Sequence, residues 1–166
     1  MYRSIRDFTS EWNFECGMTS KILNHLTDAS LAQAVAPGRR TIGRLAWHII
    51  LTLVEMPGEA GIKVNGPHAG DPPPSTVAAL AEQYSLVAGR LREAVSAQWT
   101  DDSLAEDVSM YGETWKKWQV LNALVKHEVH HRGQITVLMR QAGLQVPGIY
   151  GPAEEEWSAM GLPAQE

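Results

Sequence analysis

Apolar residues recur every three or four positions in four long segments, and most of the Pro and Gly lies between them, a pattern that favours helices over strands throughout. The first segment runs from about Ser4 to Thr27, with Ile5, Phe8, Trp12, Cys16, Thr19, Leu23 and Leu26 on one face. The second starts at Thr41 as N-cap, carries Ile42, Leu45, Ile49, Leu53 and Met56, and is expected to end at Glu55, where Pro57-Gly58 breaks it. The third opens on Ser75 as cap and follows Val77, Leu80, Tyr84, Val87, Leu91 and Ala94 to about Ala97. The fourth runs from Thr114 through Trp118, Leu121, Leu124, Val125, Ile135, Leu138 and Met139 to a stop at Gly143, with Pro147 behind it. No stretch alternates convincingly with period two, although Leu104 to Tyr111 is short enough to be a hairpin or irregular.

Helices of roughly 16 to 28 residues span about 24 to 42 Å, the dimensions of a four-helix bundle. The linker between the second and third segments, Pro57 to Pro74, holds five prolines and four glycines. Extended at about 3.3 Å per residue, it can run back along the whole of helix two. The expectation is therefore an all-α four-helix bundle in up-down-down-up order, with a long crossover between helices two and three. Residues 1–147 make up the bundle, and residues 148–166, with Glu154-Glu155-Glu156 and Trp157, form a C-terminal arm.

A chain of 166 residues closes its own core as one domain. Its net charge of −5 lacks the basic footprint of a nucleic-acid binder, so no nucleic-acid partner is expected. The first turns carry Arg3, Arg6, Asp7, Glu11 and Glu15, unlike a signal peptide. The most apolar run, Leu45 to Met56, is too short for a bilayer and contains His48 and Glu55, so no membrane partner and a cytoplasmic location are expected. A single cysteine, Cys16, excludes an intramolecular disulfide framework and any multi-thiolate zinc site.

Six histidines remain to be explained. His127 and His131 lie four apart, so their imidazoles share one face of the fourth helix with Val120, Leu124, Gln134 and Leu138. A pair of hydrogen-bonded core histidines and a pair of metal ligands both satisfy that spacing. His48, isolated in Leu45-Ala46-Trp47-His48-Ile49-Ile50, adds one imidazole from a facing helix. Together the three make a nitrogen face with open coordination positions, suited to Zn²⁺ or Ni²⁺ first and to Fe²⁺, Co²⁺ or Mn²⁺ as well. His127-Glu128-Val129-His130-His131 also reads as the H-E-x-x-H of zincin proteases, with Glu128 as general base. The lack of a β-sheet ahead of it, and of an H-x-x-G-x-x-H continuation, argues against a protease. The structural alternative for Glu128 is an i, i+4 pair with Arg132. His130 is one residue off the ligand stripe; His25 and His68 read as solvent-facing. Trp47, Trp115 and Trp118 read as core or pocket wall.

Gly43-Arg44-Leu45-Ala46-Trp47-His48 on helix two resembles the DinB/YfiT-like family, as does His127-x-x-x-His131-Arg132-Gly133-Gln134 followed by Met139-Arg140-Gln141-Ala142-Gly143 and Pro147. The resemblance covers nearly the whole chain. It implies an up-down-down-up bundle, commonly a homodimer, binding a divalent metal through three histidines, which by position are His48, His127 and His131. Related members use the metal to activate a low-molecular-weight thiol, as in bacillithiol-dependent transferases and mycothiol-dependent isomerases, while many carry only a DNA-damage-inducible label. Arg44 and Arg132 are the candidates to hold such a thiol cofactor. The expected function is thus a metal-dependent enzyme activating a thiol or water, for transfer to or hydrolysis of a small-molecule substrate. The alternative is a non-catalytic metal-binding or stress-associated dimer.

Overall fold

In the computed structural model, which describes residues 1–163, the first helix, α1 (Ile5–Leu23), begins where a polar side chain can take up its free N–H groups. Ser4 Oγ accepts from the Asp7 amide at 3.1 Å, and Asp7 Oδ2 accepts from the Ser4 amide at 3.0 Å, a reciprocal capping box. The helix stops four residues short of the expected Thr27, because Thr27 is extended and caps the next turn. Its hydroxyl accepts from the Ser30 amide at 3.2 Å and starts a short 3-10 turn, Asp28–Ala32.

α2 (Ile42–Glu59) is capped by Thr41 as expected but continues past Glu55, with Pro57 inside its last turn. The true stop is Gly61, at φ +85°. The Gly61 amide donates to the Gly58 carbonyl at 3.0 Å and the Ile62 amide to the Pro57 carbonyl at 2.8 Å, a Schellman closure that a glycine there permits. α3 (Val77–Gln98) is capped by Thr76 rather than by Ser75.

The fourth segment is divided. Glu113–Lys116 is strand β2, which pairs antiparallel with β1 (Asp107–Met110), and α4 (Lys117–Gln141) starts only after it. The hairpin takes its first strand from the expected Leu104 to Tyr111 stretch and extends beyond it to Lys116. Its two-residue loop, Tyr111-Gly112, holds φ of 51° and 84°, the twist-matched geometry for so short a connection. At its far end α4 closes on Gly143 as expected, with the Leu144 amide donating to the Met139 carbonyl at 2.9 Å. A final turn, α5 (Glu154–Trp157), lies in the C-terminal segment.

Contacts at the two ends give the helix directions. At one end the Ile5 amide, opening α1, donates to Asp101 beyond the end of α3 at 2.7 Å. Lys117, opening α4, pairs with Glu106 at 2.8 Å and lies over the Trp99 ring there. At the other end the Val77 amide, opening α3, meets Asp28 at 2.7 Å, and Lys21 near the end of α1 donates to the Gly148 carbonyl beyond α4 at 2.7 Å. α1 and α4 therefore run one way and α2 and α3 the other, the up-down-down-up order. The crossover returns along α2 with Ile62 and Val64 buried, and Trp47 Nε1 donates to the Asp71 carbonyl at 3.1 Å. It passes closest at Gly66, where a Cβ would lie 2.5 Å from Val54 Cγ2.

The C-terminal segment folds back over the bundle. Tyr150 stacks on Phe14 with ring centroids 6.2 Å apart, and Glu155 pairs with Arg140. Residues 164–166 of the expected arm lie outside the described residues. No described helix is long and apolar enough to cross a membrane.

Candidate metal centre

Because α2 and α4 run antiparallel and pack against each other, the middle of one faces the middle of the other, and three imidazoles meet at that seam. His48 Nε2 lies 3.3 Å from His127 Nε2, which lies 3.1 Å from His131 Nε2. The three ligand atoms all lie within 4.8 Å of one another, and among the described residues no other His, Cys, Asp or Glu completes the group. Nitrogens bound at about 2.0–2.1 Å to one tetrahedral ion stand roughly 3.3 Å apart, so the observed spacing fits a single ion. A hydrogen bond on the opposite ring nitrogen orients His131, whose Nδ1 lies 2.8 Å from Gln134 Oε1. With Nδ1–H donating to that oxygen, the Nε2 lone pair faces the centre. Gln134 Nε2 in turn reaches His130 Nε2 at 3.1 Å, so His130 backs the centre from outside.

Burial and the mutual proximity of the rings favour the neutral, ligating form. Desolvation first, then the charges of the neighbouring histidines and Arg40, push His48 down to about 4. His127 is likewise pushed down to about 4, mainly by burial, and His131 is lowered for the same first reason. His48 and His127 are only half-buried, so the trio sits at an accessible seam rather than deep in the bundle. Two open hollows reach it. One, of about 340 Å³, is lined by His131, Arg40, Leu45 and Leu138. The other, of about 470 Å³, opens on His48 and is bounded by Thr52, Glu55 and the crossover residues Pro67 and His68.

Glu128 is elsewhere. Its side chain is buried between α1 and α3, where Oε1 accepts from Thr19 Oγ1 and Tyr84 Oη, each at 2.6 Å, and Oε2 has no partner. A general base at the trio needs a carboxylate there, and this one is committed to Thr19 on α1 and Tyr84 on α3. The i, i+4 pair with Arg132 does not form either. Arg132 is 2% exposed and pairs with Glu15 at 2.5 Å, while Tyr150 Oη bridges the same two groups. It is thus occupied in the core and does not reach the hollows as a cofactor-binding residue. Arg44 is exposed on the first turn of α2. Arg40, which the helical pattern passes over because it lies in the loop before α2, is the arginine that lines a hollow with a histidine of the trio.

His25 is exposed, with Nδ1 2.8 Å from the Lys21 carbonyl, and His68 is exposed on the crossover. Trp47 is buried under the crossover, whereas Trp115 and Trp118 line a separate shallow groove on α4, so the three do not form one cluster. The Cys16 thiol is pushed up to about 12, mainly by burial, which makes it a poor nucleophile.

The whole chain matches the DinB family over residues 1–166. It is 40% identical over 164 residues to the uncharacterized protein YrdA of Bacillus subtilis (strain 168), covering 99% of this chain and 98% of that protein. A crystal structure of a DinB-like protein from Bacillus cereus ATCC 10987 superposes with a TM-score of 0.86 at 41% identity, over 90% of this chain and 100% of that one. A second DinB-like protein, YjoA of Bacillus subtilis, shares the fold with a TM-score of 0.68 at 15% identity, over 89% of this chain and 99% of the other. This chain belongs to the DinB family.

Proposed function

We propose that the protein is a metal-dependent enzyme whose divalent ion is held by His48, His127 and His131. The observation that carries this reading is a convergent set of three Nε2 atoms with no fourth His, Cys, Asp or Glu beside them among the described residues, reached by two open hollows. A structural ion is usually enclosed by four protein ligands, whereas a catalytic one keeps a position for water or substrate. An ion held by His48, His127 and His131 would supply Lewis acidity, the chemistry that lowers the pKa of water or a thiol toward neutrality. The chain's own residues hold and orient. The histidines present neutral nitrogens, Gln134 fixes the His131 ring, and the hollows admit a small substrate beside them. Since Cys16 is not a usable nucleophile, a thiol reaction at this centre needs an external low-molecular-weight thiol. Zn²⁺ and Ni²⁺ suit three imidazoles best, with Fe²⁺, Co²⁺ and Mn²⁺ as further fits.

The test is elemental analysis and turnover on the same preparations. Wild-type protein should carry one ion per chain, and His48→Ala should lose it. Metal-loaded protein should accelerate either transfer of a small thiol to a chromogenic electrophile or hydrolysis of an activated ester. Metal-independent rates in both assays, with the ion still bound, would instead support a non-catalytic metal-binding protein.

A further inference from the structure

The 340 Å³ hollow beside His131 has a chemical character of its own. Its walls are apolar: Val35, Leu45, Val137 and Leu138. Two of these, Val35 at 60% and Val137 at 56% exposed, offer apolar surface to solvent at its rim. One full positive charge, Arg40, stands among them. None of the ion pairs among the described residues involves Arg40, although the chain as a whole carries more acidic than basic side chains. Arg40 shares this hollow with His131, one of the three clustered imidazoles.

Helix stability does not explain the charge. Arg40 directly precedes the Thr41 cap of α2, Arg39 and Arg44 flank it in sequence, and the first turn holds no acidic residue. Cations at a helix N-terminus oppose the macrodipole, so this arrangement costs the fold rather than supporting it. A guanidinium outside every ion pair of the described residues, an apolar wall and a neighbouring histidine cluster together suit one kind of ligand. It has an anionic group for the arginine and an apolar body for the valines and leucines.

We propose that this hollow is a substrate subsite selecting small organic anions with an apolar chain or ring, foremost carboxylates, with Arg40 as the residue that reads the anion. The proposal rests on the metal-centre reading only for what lies at the ligand's other end. The subsite itself belongs to residues present without any ion.

Backbone amide NMR on the metal-free full chain tests it, with hexanoate, the uncharged 1-hexanol and the shorter acetate as probes. Hexanoate should saturably shift the amides of Val35, Val137 and Leu138 and bind more tightly than either 1-hexanol or acetate. Arg40→Gln, an exposed substitution outside any helix, should weaken hexanoate about tenfold, the scale of one charge-assisted hydrogen bond, while leaving 1-hexanol unchanged. Arg40→Lys should recover part of the preference. Equal binding of hexanoate and 1-hexanol would overturn the proposal, as would no shift at these amides or a preference that survives Arg40→Gln. Hexanoate binding that appears only after Zn²⁺ is added and ignores Arg40→Gln would overturn it too, placing the carboxylate on the ion. Metal stoichiometry of Arg40→Gln, expected to remain one per chain, separates failure of the subsite from failure of the metal centre.

Discussion

An arginine buried to 2% exposure is tolerable only where its charge is matched, and Arg132 is matched by one carboxylate, Glu15, with Tyr150 and Thr19 taking up further bonds. Replacing Glu15 by Gln leaves that cation uncompensated and should cost about 3–5 kcal/mol in urea unfolding. Glu15→Gln combined with Arg132→Met should recover most of the loss, and a small single-variant effect would mean the pair is already solvated. Glu128 carries a prediction of opposite sign. Burial raises its pKa above the ordinary 4.5, so the folded state holds its proton more tightly than the unfolded chain. Stability then falls as pH rises through and above that value, because ionising Glu128 is costlier in the core than in the unfolded chain. In metal-free protein, melting temperatures of wild type and Glu128→Gln should be closest in acid and diverge in favour of the variant toward pH 8. Parallel curves would show that the carboxyl is not proton-linked to folding. Gln134 touches the centre through the far nitrogen of His131, and Gln134→Ala should weaken metal affinity by about 10–100-fold without abolishing binding. Competition against a chromophoric chelator measures this.

At the scale of single elements, helix ends depend on closures that local periodicity does not show. Pro57-Gly58 looks like a stop because proline removes one backbone donor, yet α2 runs on to Glu59 because the Schellman turn at Gly61 satisfies the last carbonyls. Gly61→Ala should therefore destabilise by about 1 kcal/mol, a melting shift of a few degrees, with metal stoichiometry unchanged since His48 lies turns upstream. The same effect at a control glycine with negative φ, such as Gly58, would remove the conformational explanation. The strand at Glu113–Lys116 was hidden for a different reason. Trp115 and Trp118 keep a helical spacing, and only the positive φ of Tyr111 and Gly112 turns the chain into a hairpin. The histidine trio was legible because the spacing of His127 and His131 is local on α4 and because His48 is conspicuous in an apolar helix. The Glu15 to Arg132 and Tyr84 to Glu128 contacts were not, since they join residues 117 and 44 apart in sequence across helix faces. Arg40 was invisible because a loop position has no periodicity to reveal its facing.

Over the whole molecule, helix direction creates the centre. The long crossover allows α3 to run parallel to α2, which leaves α4 antiparallel to α2 and brings His48 level with His127 and His131. A chain that connected the helices by short turns alone would pair α2 and α4 in parallel and separate these rings. Under the proposed function this junction holds one ion through three Nε2 atoms and leaves part of its coordination shell to small molecules. X-ray absorption at the metal edge of the metal-loaded protein tests it most directly. Three imidazole nitrogens at about 2.0–2.1 Å around a zinc ion are expected, plus at least one light non-protein ligand, with the three-imidazole signal lost in His48→Ala. No bound ion, or a shell closed by a fourth protein side chain, would contradict it.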